Sequence, residues 1–189
     1  MNATDRERWD ARHAAVGIGT PMPPDGLRGR LDLLPGGPEP ADRGGLPAGG
    51  RALDVACGRG AVAVWLARLG FAVDAVDVSG AGLASARALA AAEGVAVRFL
   101  EADLDAGLPV AGPYDVVACQ RYRDPALYAA LAAALAPGGL LVLTVLSEVG
   151  DEGGRFRAVP GELAGAFPGL EIVDHREGDG EATLLARRR

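Results

Sequence analysis

Residues 51–60 read Arg-Ala-Leu-Asp-Val-Ala-Cys-Gly-Arg-Gly, and a helix-forming apolar stretch, Ala61–Leu69, follows directly. An apolar run with an embedded acid, ending in two glycines one residue apart, specifies a strand, a tight turn and a helix start. Open α/β sheets build nucleotide pockets in this way. The glycines let backbone approach a ligand, and the helix N-terminus aims N–H groups and a partial positive charge at it. Ala52–Val55 is therefore the predicted first strand, and Gly70 stops the helix after it.

The same rhythm continues towards the C-terminus. Strands are expected at Phe71–Val76, Val95–Leu100, Tyr114–Ala118 and Leu140–Leu146, with helices at Gly80–Glu93 and Pro125–Ala136 between them. Alternation of this kind implies parallel strands joined by right-handed crossovers. A short helix, Pro160–Phe167, precedes two last strands at Leu170–His175 and Ala182–Arg187. Only Arg176–Glu181 separates them, too little for a crossover helix, so they should pair antiparallel as a hairpin. The expected fold is α/β and Rossmann-like: a mostly parallel sheet of seven strands with an antiparallel C-terminal hairpin and helices on both faces.

Before residue 51 the character differs. Residues 4–15 fit a short helix with Thr4 and Glu7 as a capping box and Trp9 and Val16 as apolar contacts. Seven of the chain's 13 prolines fall between Gly17 and Gly50, so that stretch reads as loop, with a helical turn or two at Leu27–Leu34. The organisation is thus residues 1–50, a helix and a Pro/Gly-rich lid or loop region, and residues 51–189, the sheet domain.

The chain has 189 residues, enough for one α/β domain with a full core. Its net charge is −6 and all 19 basic residues are arginine, which excludes Schiff-base and P-loop lysine chemistry and argues against a surface that coats nucleic acid. Arg187-Arg188-Arg189 is the one dense basic run and is expected to be a frayed, solvated end. Two cysteines cannot make a disulfide framework or a four-ligand zinc site, and no metal centre is expected. The polar start lacks a signal segment, and no run nears the roughly 18 apolar residues needed to cross a bilayer. A cytoplasmic, membrane-free protein is expected.

Two further acids narrow the ligand. Asp77 ends the second strand 19 positions after Gly58, where a carboxylate can accept hydrogen bonds from both ribose hydroxyls. Gly58, Gly60 and Ala63 also satisfy the dinucleotide pattern G-x-G-x-x-A, so NAD stays open on those residues alone. Asp54, inside the first strand, is costly to bury unless loop amides or a cationic ligand meet it. It would repel a pyrophosphate and attract an ammonium or sulfonium group. Glu101-Ala-Asp103-Leu-Asp105 then puts a third acidic turn on the same edge of the sheet, where a carboxylate can accept from adenine's amino group.

With these residues assembled, the chain resembles the class I S-adenosylmethionine-dependent methyltransferases. Leu53–Gly60 resembles their first motif, Ala75-Val-Asp-Val-Ser79 the ribose-binding acid, Ala102-Asp-Leu104 the adenine-binding acid, and Leu135–Leu143 the helix-turn-strand segment that closes the sheet. It is most similar to small stand-alone members of the tellurite-resistance and thiopurine type, through Trp9-Asp-Ala-Arg-His13 and through Arg121-Tyr122 after the fourth strand. The resemblance implies that Ala56, Cys57, Gly58 and Gly60 hold the methionine part of S-adenosylmethionine and that Asp77 and the adjoining Val78 hold the ribose. Asp103 and the Leu104 amide would hold the adenine. Cys119 and Gln120 would lie near the methyl group, with Trp9 and Arg12 in a lid over the cofactor.

Methyl transfer from a sulfonium is an in-line displacement that needs alignment and exclusion of water, and a base only when the nucleophile arrives protonated. Candidate groups are His13 and Tyr122, with His175 read as structural or solvated. Cys57 and Cys119 follow the first and fourth strands, which the resemblance implies are neighbours, and read as small residues at a ligand, or else as soft ligands for a metalloid acceptor. Arg155 and Arg157 are candidates for contact with an anionic substrate. No substrate domain is inserted in the loops, which favours a small-molecule methyl acceptor over nucleic acid or protein, acted on by a monomer or homodimer. The alternatives are an NAD(P)-binding oxidoreductase and a non-catalytic S-adenosylmethionine-binding regulatory protein.

Overall fold

The computed structural model describes residues 3–34, 50–151, 153, 154 and 156–189. Eight strands form one sheet: β1 (Arg51–Val55), β2 (Ala72–Asp77), β3 (Val97–Glu101), β4 (Tyr114–Gln120), β5 (Leu135–Ser147), β6 (Arg157–Ala158), β7 (Leu170–Gly178) and β8 (Glu181–Arg188). Their order is β3-β2-β1-β4-β5-β8-β7, with β6 pairing beside the end of β5. The first five run parallel, and β8 runs antiparallel between β5 and β7. The predicted architecture and hairpin are present. The two-residue β6 is additional, in a stretch expected to be loop.

Side-chain alternation along each strand divides the core between two faces. Leu53 and Val55 of β1, Val117 and Cys119 of β4, and Leu141 and Leu143 of β5 pack towards α4 (Tyr128–Ala133) and α5 (Glu162–Ala166). Ala52, Val116, Ala118, Leu140 and Val142 face the other way, towards α2 (Ala61–Arg68). The second crossover helix, α3 (Gly80–Ala92), is capped by the Ser79 hydroxyl, which accepts from the Gly82 amide at 3.0 Å.

Beyond α2 that second face is covered by a strap, Asp25–Leu34, with two short 3-10 turns: Leu31–Leu33 lies within the predicted helical region, and Asp25–Leu27 begins two residues before it. Leu27 and Leu34 are buried against Leu140, Val142 and Leu185, each worth roughly 1.5–3 kcal/mol. A Cβ on Gly26 would sit 2.9 Å from Leu185 Cδ1, so a larger residue there would require the Leu185 side chain to shift. Arg30 pairs with Asp174 at 2.5 Å, and Arg187 donates to the Leu33 carbonyl at 2.8 Å. The basic tail is therefore not frayed: β8 runs to Arg188, and Arg187 also donates to the Gly138 carbonyl at 2.8 Å. Antiparallel pairing with β7 holds the backbone, and one carbonyl from the strap and one from β5 hold the Arg187 guanidinium.

Two other boundaries moved. The helix expected at Pro125–Ala136 is a 3-10 turn at Pro125–Leu127 followed by the six-residue α4, because β5 begins early: Leu135 already pairs with Tyr114. Helix α1 spans Ala3–Ala14, so Thr4 falls inside its first turn and not at the cap. The remainder of the expected lid or loop region, 35–49, lies outside the described residues.

Candidate cofactor and acceptor site

The carboxyl ends of β1, β2 and β3 meet at the glycine turn. Ala56, Gly58 and Gly60 all have positive φ, at 55°, 53° and 77°. A Cβ on Gly60 would lie 2.7 Å from Ala86 Cβ, so glycine there lets α2 start against α3. The turn hangs from β2. Asp77 accepts the Gly58 amide on Oδ2 and the Ser79 amide on Oδ1, both at 2.8 Å, and the Cys57 amide donates to the Val76 carbonyl at 3.0 Å. Val78 is buried behind Asp77.

Asp54 sits in the layer beneath. It is 2% exposed and accepts from the Ala63 amide, while its Oδ2 has no partner among the described residues. Burial, reinforced by Asp77 and opposed by the Ala63 bond, pushes its pKa up to about 8. A buried carboxyl oxygen left unpaired is costly unless a ligand completes it. Burial likewise pushes up the Cys57 and Cys119 thiols, which Asp54 raises further, so both stay protonated at neutral pH. Protonated thiols do not favour their reading as soft-metal ligands. At the end of β3, Asp103 caps a 3-10 turn by accepting the Asp105 amide at 3.0 Å, and Leu104 is buried.

Helix α1 lies across this edge. Asp10 accepts from the Ser79 hydroxyl at 2.6 Å and the Ala81 amide at 3.1 Å, fastening α1 to the start of α3. Arg6 pairs with Glu101 at 2.8 Å, and Arg59, within the glycine turn, donates to the Gly17 carbonyl at 2.5 Å. His13 thereby rests on the turn: a Cβ on Gly58 would lie 3.3 Å from His13 Cε1. Trp9 stacks on His13 at 5.8 Å between centroids, and the Arg12 guanidinium lies 5.4 Å from the Trp9 ring. Burial, with Arg59 and Arg12 adding to it and Asp77 and Asp10 opposing, lowers the His13 pKa, leaving a neutral imidazole at pH 7.

The β4 end is built differently. Cys119 is buried, with its thiol 3.5 Å from the Tyr122 carbonyl. Burial, with the charges of Asp124 and Asp105, raises the Tyr122 pKa, so its phenol stays protonated. Gln120 turns from the turn to the strap: its Oε1 accepts the Asp25 amide at 3.1 Å and its Nε2 donates to the Cys119 carbonyl at 3.0 Å. Arg157 is tied to Asp151 and donates to the Ser147 carbonyl at 2.7 Å; Arg155 lies outside the described residues. His175 is on β7, away from the turn, with its Nε2 buried and unpartnered among the described residues.

Sequence reasoning singled out neither Asp10 nor Arg59 for a role, nor the pair Arg123–Glu162. Arg123 donates from Nε and Nη2 to Glu162 at 2.8 and 2.6 Å, and the Tyr128 hydroxyl donates to the same carboxylate at 2.8 Å. Ser79, as a cap with a spare hydroxyl proton, was the signal available for Asp10. The other pairings carry no local signature.

Parallel strand order, antiparallel final hairpin and the acid-bearing ends of β1, β2 and β3 define the class I S-adenosylmethionine-dependent methyltransferase fold. Consistently, residues 52–139 match the family model described as a methyltransferase domain. The chain is 37% identical over 147 residues to a ribosomal protein L11 methyltransferase of Thermus thermophilus, covering 75% of this chain and 53% of that protein. It is also 37% identical over 103 residues to a ubiquinone biosynthesis O-methyltransferase of Caulobacter sp., covering 51% and 41%. The chain thus spans about half the length of these curated relatives. Among solved structures it is similar to TehB from Haemophilus influenzae, with a TM-score of 0.67 and 19% identity over 76% of this chain and 59% of that one. No helix among the described residues is long and apolar enough to cross a membrane.

Proposed function

We propose that the protein transfers a methyl group from S-adenosylmethionine to a small-molecule nucleophile. The observation that carries this reading is the unpaired, buried Oδ2 of Asp54 directly beneath the glycine turn. A ligand ammonium or sulfonium group would draw the proton off and complete the ionised carboxylate, whereas a pyrophosphate would keep it protonated and gain no ion pair. That favours a cationic adenosine compound over NAD, although both suit the glycines.

S-adenosylmethionine, when bound, supplies a methyl group already activated on a sulfonium. The chain's own residues have the tasks of binding, aligning and shielding. Each Asp77 oxygen already accepts one backbone amide and keeps a second lone pair for a ribose hydroxyl. Asp103 and the Leu104 amide suit the adenine edge, and Val78 supplies an apolar neighbour. Trp9 and Arg12, on the helix fastened by Asp10, close the edge from above and exclude water. His13, neutral at pH 7, is the group able to take a proton from an acceptor, while the protonated Tyr122 can orient one by donating to it. A cytoplasmic setting, a monomer or homodimer, and no nucleic-acid partner accompany this reading.

Titration calorimetry with S-adenosylmethionine, S-adenosylhomocysteine and NAD tests the donor. Binding of NAD alone overturns the proposal. A screen of small nucleophiles for S-adenosylhomocysteine formation tests the acceptor. Turnover with ribosomal protein or RNA, and with no small molecule, overturns the small-molecule part.

A further inference from the structure

We propose that the mouth of this site receives a flat aromatic acceptor carrying a negative charge, an inference that rests on the methyltransferase reading above. The first observation is where apolar surface is exposed. Among the described residues, the exposed large apolar side chains are Val16, Ile18, Met22, Leu31, Phe156, Val159 and Ile172. Five of these seven lie on the two segments that flank the carboxyl edge: the chain after α1, pinned by Arg59 and by Met22 to Ala61, and the segment around β6. Phe156, on the second segment, is 52% exposed.

The second observation is how cations and rings interleave there. The Arg8 guanidinium lies 5.6 Å from the Trp9 ring and 5.8 Å from the Phe156 ring, linking α1 to the β6 segment. Arg12 lies over Trp9, and Trp9 stacks on His13, which touches Gly58. A continuous ladder of rings and guanidinium groups therefore runs from the glycine turn to the outer rim. Among the described residues neither Arg12 nor Arg59 is ion-paired: Arg12 meets a ring and Arg59 a backbone carbonyl. Both add positive potential at His13.

A ladder of this composition selects two properties together. Ring faces and edges reward an aromatic ligand by stacking, and guanidinium groups reward a carboxylate or phenolate. In a protein of net charge −6, an anion gains nothing from the overall field, so this local cluster has to provide the attraction. A neutral ring loses the ionic part and an aliphatic acid loses the stacking part. The same guanidinium groups suit a carboxylate from either source, acceptor or cofactor. Preloading the protein with S-adenosylhomocysteine, which carries the cofactor's carboxylate, separates the two.

The test is calorimetry on protein saturated with S-adenosylhomocysteine, titrated with 3,4-dihydroxybenzoate, catechol and cyclohexanecarboxylate. The aromatic acid should bind about fivefold or more tighter than either partial mimic. Phe156→Ala should weaken it by about five- to tenfold, and Phe156→Leu by less, with S-adenosylhomocysteine affinity unchanged in both. Equal affinity for the three compounds, absence of saturable binding, or an unchanged affinity in Phe156→Ala overturns the inference. Failure of S-adenosylhomocysteine itself to bind strikes the methyltransferase reading instead.

Discussion

Along the carboxyl edge of the sheet, the β1–β3 half and the β4–β6 half are held by different sets of bonds. In the first, short acids accept backbone amides: Asp77 holds Gly58 and Ser79, Asp54 holds Ala63, and Asp103 holds Asp105. In the second, acceptance of amides by Gln120, Asp124 and Glu177 is joined by a set of side-chain pairs: Arg123 with Glu162, Arg121 with Glu181 at 2.6 Å, Ser147 with Glu177 at 2.7 Å. Backbone amides have fixed positions once the strands are paired, so the first half is a rigid mould for an unchanging ligand. The second half takes more of its shape from side chains that substitution can change without disturbing the sheet. A donor common to many enzymes suits the first, and an acceptor particular to one suits the second.

This contrast breaks most visibly at Asp77. Asp77→Ala frees the Gly58 and Ser79 amides together, and we expect S-adenosylmethionine affinity to fall by about two orders of magnitude or more in calorimetry, with about 2–4 kcal/mol lost in denaturant unfolding. Retained affinity would show that the turn is not held from β2. Next comes Glu162→Ala, which strands Arg123 and the Tyr128 hydroxyl at a partly buried position. Burial opposes ionisation of Glu162, but the bonds from Arg123 and Tyr128 hold its pKa below the usual range. The expected cost is about 1–3 kcal/mol in the same assay, with cofactor affinity unchanged; a parallel loss of cofactor affinity would mean the two halves are coupled.

The third test uses pH. Asp54 has its pKa raised by burial to about 8, against about 3.9 in an unfolded chain. The native state therefore holds a proton that the unfolded state has released. Stability from this group is fully present below about pH 4 and declines as pH rises through about 8. Thermal unfolding of Asp54→Asn should gain on the native protein steadily from about pH 5 to about pH 8 and level off above, and a constant difference would count against a protonated Asp54. The smallest effect is at Ala56, whose φ of 55° strains an L side chain. Ala56→Gly is expected to stabilise by about 1 kcal/mol or less, read from the unfolding midpoint.

The same contrast explains what could be read before any coordinates. The Asp54–Gly60 turn, Asp77 and Asp103 were legible because backbone-mediated geometry is local: the acid, the glycines and the helix start lie within one strand-turn-helix unit. The parallel strands and the antiparallel last hairpin followed from the alternation of elements and its loss at the end. Arg123–Glu162 and Arg121–Glu181 join residues 39 and 60 positions apart through side chains alone, and no period or spacing announces them. The strap contact of Gln120 was hidden for a related reason. Its place at the end of β4 suggested the reaction centre, but the strap it bonds to comes from nearly a hundred positions earlier. Arg187 and Arg188 looked like a loose tail because nothing in three arginines shows that a neighbouring strand and the carbonyls of Leu33, Ala133, Leu135 and Gly138 await them.

The strap has a kinetic consequence for α1. Leu27 and Leu34 anchor the chain in the core only a short connection beyond Ala14, where the helix ends. If Asp10, Arg6 and Arg59 let go to admit a ligand, α1 swings on a tether of about seven residues, up to the Met22 bond to Ala61, and remains at millimolar effective concentration over its own landing place. Reclosure is then a unimolecular event, independent of how dilute the protein is, and sensitive above all to the length of the chain between Ala14 and Met22.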